Sequence, residues 1–431
     1  MTQIDKALEG KITREIRDVA KQEKVSAGFI VQGLKSGRII IPVNNSRPAN
    51  AGLKVCGIGA GLRTKVNANI GTSPDSVSVE REIEKLQAAV EAGADTVMDL
   101  STGGNIRKIR QFIIRNSKIP VGTVPIYQVA CETLKKGKSI SQMDPGHFFS
   151  VIEEQAADGV DFITVHCGVT VKTVRLLKKT RRVCGVVSRG GAFLVEWILS
   201  NNRENPLYEH FDILLDIARR YDVALSLGDG LRPGAIADAD DAAQLGELRE
   251  MSALVRRARR RNVQVMVEGP GHMPLDKITG HVRLQKKLTG GAPFYVLGPL
   301  VCDVAAGYDH ITSAIGGAVA AAAGVDFLCY VTPAEHIHLP DAEDVRLGVI
   351  SSRIAAHSGD IAKGVRGAKE WDLKFSGSRK ALNWEMQGKL ALDPVKFRRE
   401  RERFKPSDRQ VCTMCGSFCA MKEMNKVLRK V

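Results

Sequence analysis

Near the C-terminal end, Cys412-Thr-Met-Cys415-Gly-Ser-Phe-Cys419 places three thiols within eight residues. On a loop they can converge on one soft metal centre. A closed structural zinc site takes four ligands, and the chain after Trp371 offers no fourth Cys and no His. Three thiolates instead suit a four-iron cluster with one iron left open for another ligand. An amino-acid chelate, such as the methionine part of S-adenosylmethionine, could be bound and reduced at that iron. Zinc completed by a borrowed ligand, and redox-active or incidental thiols, are the competing readings. The other six cysteines (Cys56, Cys131, Cys167, Cys184, Cys302, Cys329) lie mostly in apolar runs and are expected to be small core residues.

A second constellation is Glu268-Gly-Pro-Gly-His272, followed by Gly307-Tyr308-Asp309-His310. If each follows a strand and the two strands are neighbours, His272 and His310 face one space with Glu268 and Asp309 nearby. A divalent metal is then as good a reading as two satisfied structural histidines. His336 and His338 read equally as surface residues of a later loop. A third group suits an anionic, hydrogen-bonding ligand. Ser188-Arg189-Gly190-Gly191 and Asp229-Gly230-Leu231-Arg232-Pro233-Gly234 combine Arg with open backbone amides, the means by which loops hold phosphate. Asn67, Asn69, Tyr127 and His166 add donors fitted to a ribose or an azole ring. Asn67 and Asn69 share one face of a strand and Ala68 takes the other.

These residues need a scaffold that brings distant segments together. From residue 63 to 365 a short apolar run, a polar or Gly-containing turn and an amphipathic segment recur. The runs are 65–71, 96–101, 121–128, 161–168, 184–191, 224–230, 265–272, 295–300 and 326–336. Segment 78–94, with Leu86, Val90 and Ala94 at helical spacing, exemplifies the connections. The pattern predicts buried parallel strands in an α/β fold. Nine runs exceed the eight places of a (β/α)8 TIM-type barrel, so one is expected to be peripheral or not a strand. A barrel fits better than an open sheet because polar residues follow nearly every strand. The expected domains are an N-terminal α/β domain (1–62), the barrel catalytic domain (63–365) and a helical C-terminal arm with the cysteines (366–431). In the first, a helix over Ile12 to Val25 leads into a strand in GRIIIPVNN (37–45).

Composition sets the class. With 44% hydrophobic and 26% charged residues, the 431-residue chain is neither disordered, collagenous nor a disulfide scaffold. The first 18 residues lack a secretory apolar core. Ile311 to Val331 carries Asp326 and reads as a buried helix followed by a strand, so no membrane span and a cytoplasmic location are expected. Of the net charge of +15, residues 371–431 hold 15 Lys/Arg and seven Asp/Glu. The signs alternate in 398–405 without aromatic pairs for base stacking, which speaks against nucleic acid. Arg398, Arg399 and Arg401 are instead expected to help dock the arm. A zinc-stabilised nucleic-acid binder and a metal-dependent barrel hydrolase are the outranked alternatives.

The strings NANIGTS, MDLSTGG, GTVPIYQ, SRGG, LGDGLRPG, EGPGH, FYVLGPLV, GYDHITSAIG, YVTPAEH and CTMCGSFCAMK occur in order over residues 10 to 424. Together they resemble the phosphomethylpyrimidine synthase family of radical S-adenosylmethionine enzymes. The resemblance implies a [4Fe-4S] cluster on Cys412, Cys415 and Cys419, and reductive cleavage of S-adenosylmethionine to a 5′-deoxyadenosyl radical. That radical would start the rearrangement of 5-aminoimidazole ribotide to 4-amino-5-hydroxymethyl-2-methylpyrimidine phosphate in thiamine biosynthesis. It also implies zinc or iron at His272 and His310. Ribotide and phosphate would be bound by Asn67, Met98, Tyr127, His166, Ser188, Arg189, Gly190, Asp229, Arg232, Glu268 and Tyr295, with Glu268 and the three cysteines catalytic. The implied partners are a low-potential electron donor such as flavodoxin or ferredoxin, and a second copy in a homodimer with exchanged arms. The cysteine spacing here is two and three residues where the family has two and four, and Ala306 stands where Pro is common. The alternative family is 5-hydroxybenzimidazole synthase, which uses the same ribotide for a cobamide lower ligand.

Overall fold

The computed structural model describes residues 1–47 and 52–428. Two short strands, β1 (Ile39–Ile40) and β2 (Ile58–Gly59), pair antiparallel near the start of the chain. The next eight strands are β3 (Lys65–Ile70), β4 (Thr96–Asp99), β5 (Val121–Thr123), β6 (Phe162–Val165), β7 (Ala224–Leu227), β8 (Val265–Gly269), β9 (Phe294–Leu297) and β10 (Phe327–Cys329). They close in chain order, β10 returning to pair with β3, and every pairing is parallel. This is the expected (β/α)8 barrel. The strands are buried on both faces, which is why their sequences read as apolar runs rather than alternating ones.

The ninth run, 184–191, is not a strand. Its first half is an irregular loop and Arg189 already begins the helix Arg189–Asn201, capped by the Ser188 hydroxyl accepting from Gly191 N–H. β-branched residues suggested a strand, but Gly185 has φ +61° and Ser188 is an N-cap, and both interrupt pairing. Run 121–128 is similarly split: β5 stops at Thr123 and Pro125 opens a helix at the position where its missing N–H costs least. Tyr127 therefore sits in a first helical turn. The helix Val79–Ala92 buries Leu86, Ala89 and Ala92 together with Glu82 and Lys85. The segment Ile311 to Val331 contains most of the helix Asp309–Ala323 and then β10. No described helix is long and apolar enough to cross a membrane.

The N-terminal residues form helices Gln3–Leu8, Arg14–Glu23 and Ala27–Lys35 over a small apolar core that includes Ile16, Val19, Ile30, Leu34 and Ile39. The helix expected over 12–25 is shorter, bounded by the Thr13 cap and by Lys24 at φ 57°. Only two residues of 37–45 pair as a strand. The rest runs beneath the barrel, where Asn44 Nδ2 donates to the carbonyls of Ala156 and Val160, each at 2.7 Å. Arg47 pairs with the buried Asp161 and donates to the Ser117 carbonyl at 3.0 Å. Asp161 immediately precedes β6, so this segment seals the N-terminal end of the barrel and leaves its C-terminal end for chemistry.

Residues 1–363 form one compact unit and those from Gly364 on form another. The second contains helices Ala368–Lys380, Trp384–Leu390, Pro394–Arg403 and Ala420–Leu428. Trp371 Nε1 donates to the Leu390 carbonyl at 2.8 Å, and Trp384 Nε1 to that of Gln410 at 3.0 Å. Arg401 lies 3.9 Å over the Trp384 ring and donates to the carbonyls of Arg409 and Val411 at 2.7 and 2.8 Å. Arg401 thus braces the segment leading into Cys412, an internal role that the docking expectation had not assigned to it.

Candidate active site

In this parallel barrel, polar side chains from several strands meet one another. Glu268 on β8 accepts through Oε1 from the Thr164 hydroxyl on β6 and the Ser226 hydroxyl on β7, both at 2.7 Å. Asn67 on β3 donates to the Tyr295 hydroxyl on β9 at 2.9 Å and to Asn69 Oδ1 at 2.8 Å, while accepting from the Thr96 hydroxyl at 2.6 Å. Asn69 Nδ2 reaches Cys329 Sγ on β10 at 3.1 Å, and the Tyr295 hydroxyl reaches Met98 Sδ on β4 at 3.6 Å. These bonds tie seven of the eight strands. A parallel barrel core needs none of them for packing, so the network marks a wall built for a polar ligand.

That wall encloses a cavity of about 500 Å³. Met98, Tyr127, His166, Asp229, Arg232, Glu268 and Tyr295 all line it, as do Asn69, Thr164 and Cys329. A larger outer chamber of about 1430 Å³ shares Asn69, Leu100, Tyr127, Arg232 and Leu297 with it. Arg189 lines the outer chamber and stacks 4.8 Å over the Tyr127 ring. Ser188 Oγ lies 3.2 Å from His166 Nε2, and Gly190 allows the imidazole to lie against the helix start, since a Cβ there would be 2.4 Å from the ring. Asn67 reaches the cavity through Tyr295 and Asn69.

Burial sets the protonation of this cavity. It pushes His166 down to about 3, and the nearby Arg232 guanidinium adds to that, so the imidazole is neutral. Its Nδ1 is buried without a partner. Burial also raises Glu268, against the two hydroxyls that favour its charged form. Asp229 is raised well above the usual carboxylate range, by burial first, with Arg232 at 3.4 Å opposing. A neutral imidazole and two raised carboxyls beside the Arg232 guanidinium suit an anionic ligand carrying hydroxyls and ring nitrogens.

At the mouth, His272 Nδ1 meets Asp303 Oδ1 at 2.7 Å, leaving Nε2 free. The ring packed against it belongs to His336, centroids 5.3 Å apart. His336 Nδ1 in turn lies 3.8 Å from Asp309 Oδ1. A carboxylate hydrogen-bonded behind His272 is the arrangement that presents Nε2 to a metal, whereas Asp309 lies beyond hydrogen-bond reach of His336. His310 stacks 6.5 Å from Tyr308 and its Nδ1 lacks a partner. Among the described residues no group of three or more His, Cys, Asp or Glu side chains is arranged to hold a metal ion.

The three C-terminal cysteines lie on one tight turn. Cys412 accepts backbone N–H bonds from Cys415 and Met414, which lower its thiol below the ordinary value. Cys415 is raised, by desolvation first and then by the neighbouring Cys412 and Cys419 sulfurs. Three thiols are the donor type a four-iron cluster takes, and the sulfurs that raise Cys415 are a repulsion the cluster's positive charge would relieve.

A family model described as the Radical SAM ThiC family matches residues 2–426. The phosphomethylpyrimidine synthase of Thermoanaerobacter sp. (strain X514) is 59% identical over 428 residues, covering 99% of this chain and 98% of its own. Enzymes of that name from Caldanaerobacter subterraneus subsp. tengcongensis and Desulforamulus reducens are each 56% identical, covering 99% and 100% of this chain and 98% and 99% of their own. The chain belongs to the Radical SAM ThiC family. Membership implies a [4Fe-4S] cluster and S-adenosylmethionine.

For this family member, sequence reasoning left several cavity residues unassigned. Thr164 carried no motif, nor did Ser226, which meets Glu268 without lining the cavity, and Cys329 read as packing although it lines the cavity. Cys184, also read as packing, is exposed. Gly191 shows how tightly the two Arg-bearing loops meet: a Cβ there would lie 1.9 Å from the Gly230 carbonyl oxygen. Gly191→Ala is expected to cost about 1–3 kcal/mol by overpacking, read as a lowered thermal midpoint together with weakened ligand binding.

Proposed function

We propose that the chain is a phosphomethylpyrimidine synthase that rearranges 5-aminoimidazole ribotide to 4-amino-5-hydroxymethyl-2-methylpyrimidine phosphate. The single observation that carries this reading is the polar network across the barrel strands, closed around a cavity that Arg232, Asp229, Glu268 and His166 line. Its full-length similarity to relatives of that name supports the pyrimidine product over hydroxybenzimidazole. When bound, the cluster and S-adenosylmethionine supply the electron and the carbon radical that start the rearrangement. The protein's residues bind and orient. Arg232 and Arg189, with the amide at Gly190, are suited to the phosphate. Neutral His166 and the Asn67–Tyr295 pair offer hydrogen bonds to ribose and imidazole. Glu268 holds a proton at the cavity wall.

The second metal is assigned to His272 and His336. The His336 ring packed 5.3 Å from His272, with the Asp303 carboxylate behind His272, supports His336 over His310 as the second ligand. Exposed Met414, Phe418, Met424 and Leu428 on the cysteine arm support its docking on another surface, in keeping with a homodimer of exchanged arms. A cytoplasmic location and a flavodoxin- or ferredoxin-type donor complete the reading.

Incubating reconstituted protein with ribotide, S-adenosylmethionine and reductant is expected to yield the pyrimidine phosphate, identified by mass spectrometry. Hydroxybenzimidazole as the product would replace this reading with the alternative.

A further inference from the structure

The loop Asp229-Gly230-Leu231-Arg232 puts two side chains into the cavity, and within it the Arg232 N–H donates to the Asp229 carbonyl at 3.1 Å. Two buried ionisable groups that line neither cavity hold it from outside. Glu247, on the helix Ala242–Arg260 and 1% exposed, accepts the Leu231 N–H through Oε2 at 2.8 Å. Burial pushes its carboxyl up to about 8 and Oε1 has no partner, so the group acts as a neutral acid that accepts. From the other side Arg182, its side chain 2% exposed, donates to the carbonyls of Leu231 at 2.6 Å and Arg232 at 3.3 Å.

Arg182 has two further attachments. It donates to the Gly185 carbonyl at 3.1 Å, in the segment that leads into Ser188 and Arg189. It also meets both oxygens of Asp241, at 2.6 and 2.8 Å, and Asp241 caps the helix that carries Glu247. One guanidinium therefore joins both Arg-bearing loops and the helix behind them. A buried ionic group is weak evidence for stability, because well-packed apolar residues do as well or better. Here four of the six bonds, all but the pair to Asp241, end on the backbone of the two Arg-bearing segments.

We propose that Arg182 and Glu247 are positioning residues, clamping the Leu231–Arg232 backbone so that Arg232 and Asp229 meet the anionic end of the ligand. The proposal rests on the reading that ribotide occupies the cavity. Three variants test it in the reconstituted enzyme: Arg182→Met, Glu247→Leu and Glu247→Gln. Kd for ribotide and for inorganic phosphate, KM, kcat and iron content are measured for each. Arg182→Met and Glu247→Leu are expected to raise Kd and KM by about 10- to 100-fold, with kcat and iron content little changed. Glu247→Gln keeps an acceptor for the Leu231 N–H and is expected to stay within about threefold of wild type. Unchanged Kd in Glu247→Leu, or Glu247→Gln as weak as Glu247→Leu, overturns the proposal, as does a fall in kcat with KM unchanged. If Arg182→Met does not fold, the two Glu247 variants decide. Wild-type binding of phosphate without ribotide removes the substrate reading and leaves the clamp judged on phosphate. Binding of neither overturns both.

Discussion

Cys415→Ala is expected to abolish the iron–sulfur chromophore and to lower product formation by at least about a thousandfold, a loss of ~4 kcal/mol of transition-state stabilisation. Cys415 lies between Cys412 and Cys419 on one turn and feels the sulfurs of both. Two thiolates cannot replace three at a cluster that must keep one iron open. The cysteines belong to a compact unit separate from residues 1–363. Ribotide affinity and the melting of the barrel should therefore be unchanged in the variant. Iron content, anaerobic absorption and electron paramagnetic resonance check the first half, and calorimetric ribotide binding the second. A variant that turned over with the cluster lost would point to a metal-dependent hydrolase, whose chemistry would use His272, His310 and Glu268 with a metal-bound water.

The barrel was legible because its strands are buried on both faces, which writes a repeated apolar run into the chain. The run at 184–191 misled because β-branched residues precede the Ser188 cap, and a loop packed behind an active site is apolar for its own reasons. Strand ends were also overextended: in 121–128 the same apolar run continues into a helix at Pro125. Periodicity alone does not separate a buried strand from a buried first helical turn.

Site residues were legible where a motif concentrates them and illegible where the fold assembles them. Asp229 and Arg232 stand three apart in a Gly-rich loop, so their types and spacing announced a purpose. Thr164 and Ser226 are ordinary strand residues whose hydroxyls meet only because β6, β7 and β8 bring them to Glu268. His336 was indistinguishable from His338 in sequence, and the ring packing on His272 separates them. Arg182 and Glu247 act through backbone atoms of another segment, and a single sequence carries no mark of such contacts.

Glu268 is where protonation and function meet, and its variants should separate the two. Its carboxyl is raised by burial, so the folded protein holds the proton to higher pH than the unfolded chain does. The native state then binds more protons between those two values, and stability is full below the unfolded carboxyl range and falls as pH rises through the folded value. Glu268→Gln removes that titration while keeping an oxygen for the Thr164 and Ser226 hydroxyls. Its thermal midpoint should therefore decline less steeply with pH than that of the wild type. Turnover should fall by about 10²- to 10⁴-fold if the proton held there is used in the rearrangement, and the corresponding limb of the kcat/KM profile should vanish. Glu268→Ala would add about 1–3 kcal/mol of instability from two buried hydroxyls left without an acceptor. Wild-type turnover in Glu268→Gln, with an unshifted pH profile, would reduce Glu268 to a fixed acceptor in the strand network.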